Sequence, residues 1–125
     1  MATFKVKVKV WNPETPNRSA ELEAWADTGA AYSWISRDRL DPLGVKRVRR
    51  LQFQTIEGNT VERDLAAVFL SADGFTGGDN VVLAEPGDLE VLGAHSLESL
   101  GLAVDPVHKK LIPLVVALGL LARER

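Results

Sequence analysis

Alternation of apolar and polar residues runs through most of the chain. Phe4, Val6, Val8 and Val10 fall on one side of an extended segment, and Lys5, Lys7 and Lys9 on the other. Successive side chains of a strand point to opposite faces, so this spacing predicts a half-buried strand. After the polar loop "NPETPNRS" (12–19), Leu22, Ala24 and Ala26 alternate with Glu21, Glu23 and Trp25, a second strand. Paired antiparallel, the two set lysines opposite glutamates on the solvated face, for roughly a few tenths of a kcal/mol per pair. "RLQFQTI" (50–56) and "TVERDLAAVFLS" (60–71) flank "EGN", a hairpin signal. "NVVLA" (80–84) and "HKKLIPLVV" (108–116) predict further strands, and "GFTGGDN" (74–80) a turn. Helix is confined to short stretches over "SRDRLDPL" (36–43) and "AHSLESLG" (94–101). The pattern predicts a mainly β domain with two short helices.

An internal repeat overlies this pattern. "LDPLGV" (40–45) and "LESLGL" (97–102) share L-x-x-L-G-aliphatic, each ending a short helix on a glycine suited to a left-handed cap. Each lies downstream of a small-residue turn that ends a β segment, "DTGA" (27–30) in the first half and "VLGA" (91–94) in the second. Two copies of strand, turn, helix and strand predict a pseudo-twofold domain. Only the first turn carries an acid.

Composition narrows the class. The 125 residues match one ordinary domain, and 46% hydrophobic with 26% charged residues is normal for a soluble globular protein. A net charge of -2 gives no long-range field for nucleic acid. The chain has no cysteine, which excludes disulfides and thiolate metal sites and suits a reducing cytoplasm. The lysine-studded start is no signal peptide, and "LIPLVVALGLLA" (111–122) is too short to span a bilayer and contains Pro113. The expectation is a soluble, cytoplasmic domain without nucleic-acid or membrane partners.

Asp27 stands out. It follows "AELEAWA" and precedes Thr28, Gly29 and two alanines, and a carboxylate in such company needs a partner. Taken alone, Asp-Thr-Gly fits an ordinary turn, with Asp capping it and Gly supplying positive φ. Together, "ADTGA" after an apolar strand, a glycine-tipped hairpin near residue 58, and "VLGAHSLESLGL" resemble the retropepsin-like aspartic proteases, the single-lobe relatives of pepsin. The resemblance covers about residues 4 to 114.

What it implies is specific. The fold would be a closed β-barrel with a flap hairpin, occupying residues 1–125 as a single domain. Asp27 would be catalytic and would meet its twin on the twofold axis of a homodimer, since the reaction needs two carboxylates and this chain has one such motif. Thr28 would hydrogen-bond across the axis, and Gly29 would let the backbone approach the carboxylates. Ala30 matches the alanine of the retroviral type, where pepsin-like enzymes usually have a hydroxyl residue. Val91, Leu92 and Gly93 would buttress the loop. Ile56, Glu57, Gly58 and Asn59 would form the flap over an extended peptide or protein substrate. Ala31, Ile56 and the 91–92 pair offer little charge, so apolar residues are expected at the cleavage point. No cofactor and no metal are implied.

Other readings stand beside this one. The same fold without catalysis would be a dimeric peptide-binding or self-association module. A third possibility is an unrelated small β-barrel binding domain. His95 and His108 have no cysteine nearby, and a metal site there would need carboxylates. His95 reads as near a helix start and His108 as in a solvated turn. "KRVRR" (46–50) reads as a solvated strand face, Glu85 and Glu98 as surface charge, and Trp11, Trp25 and Trp34 as core or interface anchors. The apolar tail "LVVALGLLARER" (114–125) fits either a dimer interface or a final core element.

Overall fold

The computed structural model describes residues 2–114; Met1 and tail residues 115–125 lie outside the described residues. β1 (Ala2–Trp11) and β2 (Ser19–Asp27) pair antiparallel, with Lys7 opposite Glu23 and Lys9 opposite Glu21. Their alternation is realised in space. Val8, Val10, Leu22, Ala24 and Ala26 enter the core, while the lysines and glutamates stay exposed. β3 (Trp34–Ser36) leads into α1 (Arg37–Leu40), which Ser36 caps by accepting the Asp38 N–H at 3.1 Å, and a 3-10 turn follows over Asp41–Leu43. β4 (Arg47–Gln54) and β5 (Thr60–Ala72) form the hairpin, and β6 (Phe75–Ala84) returns along β5. β7 (Val91–Leu92) precedes α2 (Ala94–Leu100), and β8 (Leu102–Asp105) pairs with β9 (Lys110–Pro113).

The large sheet runs β1-β2-β7-β3-β6-β5-β4, and β1 pairs again with β5 through Lys9–Ser71, Val10–Leu70 and Trp11–Phe69. That second pairing returns the ladder to its start and encloses the core. β5 is long enough to hold β4 along its first part and β1 along its last. Both repeats insert their leucine pair: Leu40, Leu43, Leu97 and Leu100 are all buried. Both also end on a left-handed glycine, Gly44 and Gly101, each at φ 73°. A residue with a Cβ would be strained there. Among the described residues no helix is long and apolar enough to cross a membrane.

Three expectations need correction. Of "GFTGGDN" only Gly74 turns, together with the preceding Asp73; from Phe75 onward it is strand. Gly77 and Gly78 serve close packing instead. A Cβ on Gly77 would come within 2.6 Å of Ser99 Oγ on α2, and one on Gly78 within 3.2 Å of the Phe69 ring. The last strand begins at Lys110, because Lys109 takes a left-handed φ of 55° in the turn before it. The hairpin strand β4 starts at Arg47 and ends at Gln54, so Ile56 belongs to the turn.

Candidate active site

Asp27 closes β2, one residue beyond the buried Ala26, and is itself half-buried. Its Oδ1 accepts the Gly29 N–H at 2.9 Å, and its carbonyl accepts the Ala30 N–H at 3.2 Å. These two bonds fold Asp27–Ala30 into a tight turn in which the acid caps its own loop. Thr28, Gly29 and Ala31 are exposed, and Ala30 is half-buried.

The second small-residue turn lies directly behind the first. β7 is inserted between β2 and β3, parallel to β2 at Trp25–Val91 and Ala26–Leu92 and antiparallel to β3 at Trp34–Val91. The Ala30 and Ala31 carbonyls accept the Ala94 N–H at 2.8 Å and the His95 N–H at 3.0 Å. α2 has no side-chain cap, so the Asp27 loop takes up the first amides of the helix. Gly93 is the closest point. A Cβ there would lie 2.8 Å from the Ala30 carbonyl oxygen and closer still to that of Tyr32. Val91 and Leu92 are buried, so their side chains face the core and not a bound ligand.

The hairpin turn between β4 and β5 is closed by Thr55. Its N–H donates to the Asn59 carbonyl at 2.7 Å, its carbonyl accepts the Gly58 N–H at 2.9 Å, and its hydroxyl accepts the Asn59 N–H at 3.1 Å. Gly58 takes φ 92°, a conformation that favours glycine. Ile56 is fully exposed, at 102% relative accessibility, and Glu57 and Asn59 are exposed with it.

Sequence reasoning missed the residues that join these parts. The Phe53 ring, at the base of the hairpin, stands edge-on to Tyr32 at 6.0 Å and tilted against Trp34 at 5.0 Å. Tyr32 in turn meets the His95 ring at 4.9 Å. Such contacts contribute about 0.5–1.5 kcal/mol each beyond burial. A second connection is polar and buried. Gly93 N–H donates to Ser33 Oγ at 2.9 Å, Ser33 to Ser96 Oγ at 2.5 Å, and Ser96 to Asp79 Oδ2 at 2.7 Å. One signal for Ser96 was available: it shares a helical face with Leu97 and Leu100.

Charges cluster away from the loop. Asp64, on β5, accepts Arg37 at 2.8 Å and Arg50 at 2.8 Å, and the Arg37 guanidinium beside it holds its carboxyl below the usual aspartate range. Arg63 binds Asp88 through two nitrogens at 2.8 and 3.0 Å and lowers that carboxyl too. Glu85 pairs with Arg37, and the exposed His108 with Asp105 at 2.8 Å. Among the described residues no group of three or more His, Cys, Asp or Glu is placed to hold a metal ion.

No protein-family model matches the chain, and no curated protein does either. Among solved structures it is similar to the protease of simian foamy virus (mac), determined in solution, with a TM-score of 0.53. The chain shares the fold of that protease. The match covers 75% of this chain and 91% of the viral one at 17% sequence identity, a level at which shared architecture outlasts shared sequence. Within that fold, the Asp27 turn is joined to the glycine turn behind it through Ala30 and Ser33, and the loop that follows it to the base of the hairpin through Tyr32 and Phe53.

Proposed function

We propose that the protein is an aspartic endopeptidase that works as a homodimer. The observation that carries this reading is the Asp27 turn in a retroviral protease fold: an acid at a strand end, its loop backed by the close approach of Gly93. Fold alone does not give function, so the chemistry of the turn matters. One chain supplies one such carboxylate, and the reaction needs two in opposite protonation states. Asp27 and the partner subunit's Asp27 meet at the axis. The ionised one takes a proton from water as it attacks the scissile carbonyl carbon, and the protonated one gives its proton to the carbonyl oxygen. Collapse of the tetrahedral diol then breaks the C–N bond and returns a proton to the leaving amine.

Thr28 ties the two loops together, and the Gly29 N–H already donates to the carboxylate it steadies. The hairpin tip, with the exposed Ile56 and the backbone of Gly58, folds over an extended peptide and excludes water. Glu57 and Asn59 flank that contact. Apolar side chains are favoured at the cleaved bond. Cleavage of a peptide library, lost in Asp27→Asn while the variant stays folded and dimeric, is the expected result. A library left intact by wild-type dimer, or cut equally by the variant, overturns the assignment.

A further inference from the structure

The hydroxyl chain behind the loop has a direction. Gly93 donates a backbone N–H, which fixes Ser33 Oγ as the acceptor and leaves the Ser33 proton to point at Ser96 Oγ. The Ser96 proton then points at Asp79 Oδ2, and an ionised carboxylate can only accept. Ser33 and Ser96 are fully buried, so each bond is made away from competing water. Asp79 reaches in from β6 while its other oxygen accepts the Asn80 N–H at 2.8 Å, which orients the carboxylate. The chain thus runs from β6 through α2 to Ser33, the last residue before β3, and on to the glycine packed beneath the Asp27 loop.

We propose that Ser33, Ser96 and Asp79 form a positioning relay that sets the height of the Asp27 loop over the Gly93 turn. The proposal rests on the aspartic-protease reading for its catalytic consequence. None of the three touches substrate; they act through the backbone that carries Asp27. A loop that must bring two carboxylates together on an axis tolerates little drift, and a displacement of about 1 Å can cost roughly 100-fold in rate.

The test compares two hydroxyls that both reach β6 from α2, one inside the relay and one outside it. Ser96→Ala cuts the relay. Ser99→Ala removes an equally short bond, Ser99 Oγ to the Gly78 carbonyl at 2.6 Å, which is exposed and has no link to Ser33 or Gly93. Expected is a fall in kcat of about ten-fold or more for Ser96→Ala with KM and dimer dissociation little changed, and wild-type turnover for Ser99→Ala. Asp79→Ala is expected to reproduce the loss, and Asp79→Asn, which keeps an acceptor oxygen, to restore most of it. Equal effects of the two serine variants, or a loss that follows only the folded fraction, overturns the relay. If wild-type protein cleaves no peptide, the enzymatic reading fails separately. The relay is then judged by amide exchange at Ala94 and His95, whose N–H groups bind the loop. Faster exchange in Ser96→Ala than in Ser99→Ala supports it, and equal exchange refutes it.

Discussion

Gly93 has no room for a side chain, and that is a statement about two backbones rather than about glycine as a flexible residue. Its φ of -94° is open to any residue, but the Tyr32 and Ala30 carbonyls occupy the space of a Cβ. Gly93→Ala is therefore expected to destabilise the protein by about 1–3 kcal/mol, read by urea denaturation, by forcing the Asp27 loop outward. Its neighbour Leu92 is 1% exposed. Leu92→Asp would strand a charge in the core at several kcal/mol and is expected to abolish folding; a soluble variant with a normal melting temperature would contradict the placement of β7. At this scale the sequence announced Asp27 and the glycine turn, because turn chemistry is local. It did not announce Ser33, Ser96 or Asp79, because a serine becomes informative only when its partner, 63 residues away, is seen beside it.

At the level of elements, the hairpin tip and the ion-pair cluster make opposite predictions. Ile56 touches little of its own subunit, so Ile56→Ala is expected to change unfolding free energy by less than about 0.5 kcal/mol. If the tip closes on substrate, the same change raises KM for apolar peptides; an unaltered KM would remove the tip from the binding site. Asp64 behaves differently. Arg37 and Arg50 hold its folded-state pKa below the unfolded value, so the native state binds fewer protons and its contribution is fully present above about pH 4. It is lost as pH falls from there through the folded value. Asp64→Asn is expected to lower stability by about 1–3 kcal/mol at pH 7, and the gap to wild type should narrow toward pH 2 in urea titrations. Period-2 patterning made the long strands legible. The three-residue β3 and the glycine-bearing half of β6 were not, since one is too short for a pattern and the other owes its glycines to α2 and Phe69.

For the whole molecule, the proposed shared site would make activity a property of pairs. Mixing wild-type protein with an equal amount of Asp27→Asn and allowing exchange is expected to leave about one quarter of dimers with two intact carboxylates. Cleavage should fall to that fraction of the value for the same total protein; a fall only to one half would mean each subunit works alone. Under the proposed mechanism, rate against pH should follow a bell, because one carboxylate would act protonated and the other ionised. The fold was legible from the repeat and the hairpin, each carried by residues close in sequence. The resemblance implied a closed barrel, but that β1 and β5 close it was not legible, because the pairing joins residues about sixty positions apart, such as Lys9 and Ser71.

The parallel pairing of Trp25 with Val91 also sets a timetable. As the chain leaves the ribosome, the acid appears first, and the strand that supports it and the helix its loop caps are made more than sixty residues later. Until Ala94 and His95 emerge, the Ala30 and Ala31 carbonyls have no helix to receive. A nascent chain therefore carries Asp27 in an unfinished loop, which is completed only when this long-range pairing is made.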